Sequence, residues 1–146
     1  MKLPLLVMAS VLFAGCSSST APSSGDPLTG TWSVTLPRFA DSSYFAPSPF
    51  TLTVASNGGT HTASYADLVY HMGGGAVVAT YTAANDSSSF VASGTTLTLR
   101  VGTPTAQCVL TIQGSVSAGT ATGTASLRYG CGPSPVESVS WTAVKQ

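Results

Sequence analysis

What most limits the folds open to this chain is a period of two. From Gly30 to Gln146 apolar and polar side chains alternate along one stretch after another, and no stretch repeats at i, i+3, i+4, i+7 for long enough to make a major helix. Successive side chains of an extended strand point to opposite faces, so alternation gives each strand one apolar and one polar face. Trp32, Val34 and Leu36 alternate with Thr31, Ser33 and Thr35, and Pro37 ends that strand. Val139, Trp141 and Ala143 alternate in a last one. The fold class is therefore all-β: an antiparallel up-and-down meander of about eight to nine strands. A meander with one apolar face has to curl to bury it, which closes a small barrel with first and last strands adjacent; a β-sandwich is the alternative.

Turn residues set the expected registers. Asn57-Gly58 tolerates the positive φ angles of a type I′ hairpin, and a turn there places Phe50 opposite Tyr65, Leu52 opposite Ala63 and Val54 opposite His61. Val77 to Ala83 reads as a strand bounded by Asn85-Asp86. Phe90 to Ala92 and Thr96 to Val101 form a hairpin about Ser93-Gly94, with Leu97, Leu99 and Val101 on its buried face. Residues 38–49, with Pro47 and Pro49, and residues 67–75, with three consecutive glycines, read as loops.

In the hairpin that carries two cysteines, a Gly119-Thr120 turn sets Cys108 opposite Cys131, Leu110 opposite Tyr129 and Ile112 opposite Leu127, while Thr111, Gln113 and Ser115 share the other face with Arg128, Ser126 and Thr124. A slip of one residue would mix the faces. Directly opposed residues lie within reach of a disulfide, and a Cys108–Cys131 bridge would contribute about 3 kcal/mol by the loop-entropy model.

Only 7% of the residues are charged, five basic and five acidic, so no basic patch is present to neutralise phosphates and nucleic acid is a poor partner. The length suits one domain. Its start has a different character. Lys2 precedes an apolar run from Leu3 to Ala14 that is too short for the roughly 20 helical residues of a membrane span. Residues 1–15 read as a signal peptide, residues 16–29 as Cys16 plus a flexible tether rich in Ser, Thr and Pro, and residues 30–146 as the β domain. Three cysteines are one too many for pairing, and lipidation of Cys16 would leave Cys108 and Cys131 as the pair.

Leu12-Phe13-Ala14-Gly15-Cys16 resembles the bacterial lipobox, whose cysteine is diacylated and becomes the new N-terminus. Phe13 stands where that family usually has Leu, Val or Ile. The resemblance implies a lipoprotein of the cell envelope, held to a membrane by its N-terminal lipid. Ser17, rather than Asp, implies the outer membrane if the host is Gram-negative. Leu28-Thr29-Gly30-Thr31-Trp32 resembles the first strand of calycin barrels, the group of lipocalins and avidins, in which Gly-x-Trp plugs one barrel end. Avidin-like proteins place a biotin-binding Asn two residues after the tryptophan, where this chain has Val34. Lipocalins pack an arginine over the tryptophan, a role open to Arg128 or Arg100. The resemblance implies an architecture and a possible cavity without assigning a ligand.

No catalytic motif stands out, and nothing calls for a metal or another cofactor. His61 and His71 lie in neither a triad nor a metal-binding spacing; His61 reads first as a packing residue. Asp41, Asp67, Asp86 and Glu137 fall in loops or near strand ends. Gly73-Gly74-Gly75 lacks the Lys and Ser/Thr of a phosphate loop. An aromatic wall suits a small apolar ligand, which makes Trp32, His61, Tyr65, Tyr81 and Trp141 the candidate ligand-binding residues, although aromatic side chains serve an ordinary core equally well. Two functions follow as expectations, both non-enzymatic: an envelope lipoprotein binding a small apolar molecule inside a barrel, or one with a filled core that contacts another envelope protein through its Thr/Ser-rich outer face and the 38–49 loop.

Overall fold

The alternating stretches become strands. A computed structural model describes residues 25–82, 89–102, 108–129 and 136–146, and within them eleven strands follow in order: β1 (Gly30–Thr35), β2 (Tyr44–Ala46), β3 (Phe50–Asn57), β4 (Thr60–Tyr65), β5 (Leu68–His71), β6 (Val77–Tyr81), β7 (Ser89–Ser93), β8 (Thr96–Val101), β9 (Cys108–Ser117), β10 (Thr120–Tyr129) and β11 (Val136–Lys145). Eight form one antiparallel sheet in the order β4-β3-β1-β11-β10-β9-β8-β7. First and last strands are joined, with Trp32 opposite Lys145 and Thr35 opposite Thr142. The sheet nearly closes into a barrel, its two edges β4 and β7 lying beside each other without a ladder.

At that seam the chain leaves the barrel. β5 pairs with β6 on one side and with β2 on the other, in a second sheet of order β2-β5-β6. Both segments expected as loops, 38–49 and 67–75, thus contribute a strand. Three residues ended by Pro47, and four residues before a glycine run, are too short for alternation to be read from them. The two sheets share a core: Phe45, Leu68, Tyr70 and Tyr81 of the small sheet are buried in one cluster with Trp32, Leu52, Leu99 and Leu110 of the barrel.

The turns shift every expected register by one step. The β3–β4 loop is Gly58-Gly59, both at positive φ, so Leu52 faces Tyr65, Val54 faces Ala63 and Ser56 faces His61. The β7–β8 loop is Gly94-Thr95, between paired Ser93 and Thr96. The β9–β10 loop is Ala118-Gly119, at φ 47° and 78°, a type I′ geometry. Leu110 therefore faces Leu127, Ile112 faces Ala125 and Cys108 faces Tyr129. Moving a two-residue turn by one position changes each partner by two residues, which keeps every side chain on its face. Polarity cannot distinguish such registers.

Mid-strand glycines on two neighbouring strands, β9 and β10, make room for one large ring on the next. Gly114 faces Gly123, and Gly123 faces Trp141. A Cβ on Gly114 would lie 2.5 Å from Trp141 Cζ2 and 2.3 Å from the Thr122 carbonyl oxygen. The indole lies against Gly114, and its Nε1 donates to the Gln113 carbonyl at 2.8 Å.

Candidate functional site

Four of the side chains expected to line a ligand cavity are buried in the core. Trp32, Tyr65, Tyr81 and Trp141 are all buried within the single core cluster. Trp32 Nε1 donates to the Leu28 carbonyl at 2.9 Å, so both indoles have used their one donor on the backbone. The cation near Trp32 is not an arginine. Lys145 Nζ lies 5.5 Å from the indole centroid, and its stem passes over Gly30, where a Cβ would come within 2.7 Å of Cε. Arg100 and Arg128 are exposed on β8 and β10, on the faces opposite their buried leucines. The cation comes from the last strand, because β11 pairs directly with β1.

His61 is half-buried beside a carboxylate from the segment expected to be tether. Its Nε2–H donates to Asp26 Oδ2. Asp26 also accepts from the Leu28 amide at 3.0 Å and from Thr29 Oγ1 at 2.9 Å, while the Thr29 amide closes a turn onto the Asp26 carbonyl. The hydrogen bond from His61, helped by those from Leu28 and Thr29, holds the Asp26 carboxyl below its ordinary value. Leu28 is buried in the core. Asp26 to Thr29 are thus fastened to the barrel end, and Asp-x-x-Thr, a turn-forming pattern, was the available sequence signal.

The other titratable groups do not converge on His61. His71 ends β5, and its Nδ1–H donates to the Gly75 carbonyl at 3.2 Å. Asp67 and His71 flank an extended strand, which separates residues four apart by about 13 Å. Among the described residues no group of three or more His, Cys, Asp or Glu could hold a metal ion. Glu137 shares the face of β11 that carries Val139, Trp141 and Ala143, opposite Leu127; its Oε2 is buried and has no hydrogen-bond partner among the described residues. Cys16, Cys131 and Asp86 lie outside the described residues, so the Cys108–Cys131 bridge lies outside them too. The ladder places Tyr129, not Cys131, opposite Cys108.

A groove lined by described residues lies on the outside. It occupies about 430 Å³ between the chain just beyond β1 and the short strand β2, lined by Leu36, Pro37, Arg38, Tyr44, Phe45, Ala46 and Ser48. Ser48 ties the two walls, its Oγ donating to the Leu36 carbonyl at 2.8 Å and accepting from the Leu36 amide at 3.0 Å. Leu36 and Phe45 are buried and give an apolar floor. Tyr44 stacks on His71, its cross-strand partner, with ring centroids 4.6 Å apart and planes 5° from parallel. The Arg38 guanidinium lies over the same tyrosine, its Cζ 4.2 Å from the ring centroid. Neither Arg38 nor Tyr44 carried a motif, and only pairing of β2 with β5 brings His71 to them. Comparison with protein-family models, with curated proteins and with solved structures finds no match to this chain, so geometry alone carries the functional reading.

Proposed function

We propose that the chain is a non-enzymatic lipoprotein of the bacterial cell envelope, anchored through Cys16, in which a calycin-like barrel is a rigid support for contact with another envelope protein. Its contact surface is the groove built from the 38–49 segment and the end of β1. The observation that supports this reading most is the placement of aromatic side chains: Trp32, Tyr65, Tyr81 and Trp141 are buried in the core, whereas Tyr44 is half-buried on a groove. In a Gram-negative host the anchor would be in the outer membrane.

A photo-crosslinking residue in place of Ala46 tests it, with the exposed outer-face position Ser140 as control. A discrete crosslinked product in intact cells from position 46, and none from 140, is the expected result; equal or no products from the two positions would contradict it. A small apolar ligand inside the barrel is the second reading, and the buried Glu137 Oε2, unpartnered among the described residues, is the observation in its favour. Native mass spectrometry of the protein extracted from membranes separates them, because a bound small molecule of constant mass would select the second.

A further inference from the structure

Three features of the groove specify what could sit in it. The first is charge. Its lining contains one cation, Arg38, and no acid. Among the described residues Arg38 makes no ion pair, and its one polar contact there is long, 3.5 Å from an Nη to the Ser42 carbonyl. The contact with the Tyr44 ring engages the guanidinium through Cζ and leaves most of its N–H donors open, a fork matched to a carboxylate. The second is the floor, where Leu36, Pro37, Phe45 and Ala46 offer apolar surface for a side chain. The third is the backbone. Among the described residues β2 pairs only with β5, so its other edge has no ladder there, apart from the Phe39 amide that donates to the Ser43 carbonyl just before the strand.

We propose that this groove binds the carboxyl-terminal end of a peptide that finishes in an apolar residue. The chain end extends along the free edge of β2, its last side chain lies on Leu36 and Phe45, and its carboxylate meets Arg38. This mode joins strand addition to capture of a terminal carboxylate. A groove of about 430 Å³ admits a short chain end rather than a folded surface. The assignment rests on the interaction reading of the same groove and names its partner's chemistry.

Fluorescence anisotropy on the full-length chain in detergent tests it, with labelled tripeptides ending in Leu, Val or Phe, each as the free acid and as the amide. The expected result is saturable binding of at least one acid, with its amide about tenfold weaker, as for a single solvent-exposed charge-assisted contact. Arg38→Gln should lower the acid to the level of the amide and abolish the difference between them. Arg38→Lys, which keeps charge but not the fork, should restore only part of it. Arg38 is exposed, and unchanged thermal unfolding of both variants would exclude misfolding. Equal binding of acid and amide, an acid preference that survives Arg38→Gln, or no saturable binding by any tripeptide would overturn the proposal. Octanoate competing as well as the best peptide would overturn it in favour of a free organic acid. A crosslink from position 46 together with carboxylate-blind binding would sink this assignment and leave the interaction function standing.

Discussion

At the scale of residues, the close contacts are those where one side chain depends on the absence of another. Gly114 has no room for a methyl group, with the Thr122 carbonyl and the Trp141 ring both inside 3.0 Å of where its Cβ would lie. Gly114→Ala should therefore destabilise the domain by about 1–3 kcal/mol, as overpacking does. A chemical-denaturation midpoint unchanged from wild type would show that the indole does not lie where it is described. Asp26 gives a prediction with a sign. Its carboxyl is held below the ordinary aspartate value by the His61 hydrogen bond, so the stabilisation is fully present above that ordinary value and is lost as pH falls through the lower folded one. Asp26→Asn should lower the unfolding temperature at neutral pH, and the gap to wild type should close on acidification below about pH 4. A gap independent of pH would assign Asp26 a role in turn geometry alone.

Elements show how a correct pattern can still give a displaced register. The faces of β9 and β10 segregate as the sequence indicates, with Leu110, Ile112, Ala125 and Leu127 all buried. The turn nevertheless falls on Ala118-Gly119, because alternation has the same period as the displacement and leaves the choice to the loop. Ala118 then takes a left-handed conformation, which costs a residue with a Cβ roughly 1–2 kcal/mol. Ala118→Asn should recover part of that, raising stability by about 0.5–1 kcal/mol, because Asn-Gly suits both loop positions. If stability fell instead, the Gly119-Thr120 turn would be the better description. The strands β2 and β5 were hidden for a different reason: each is stabilised by its neighbour, and neither is long enough to carry a period.

The whole molecule is a barrel interrupted at one place. Between β4 and β7 the meander departs to build β5 and β6, and pairing of β5 with β2 folds the 38–49 segment back to make the groove. Seam and groove thus have one origin in the topology. The proposed attachment to a membrane belongs to this scale as well. Cys16→Ser should move the full-length protein from the membrane to the soluble fraction with its unfolding temperature unchanged; membrane retention of that variant would refute the anchor. Sequence by itself determined what local chemistry can specify: the all-β class, which face is buried on the long alternating strands, the core roles open to Trp32 and Trp141, and the meeting of first and last strands. Tertiary structure alone decided which turn was used, that Lys145 and not an arginine covers Trp32, that Asp26 reaches His61, and that Arg38, Tyr44 and His71 converge. The reason is physical: burial is written along the chain with a period of two, whereas contacts between strands distant in sequence depend on registers and crossings that the same pattern allows in more than one way.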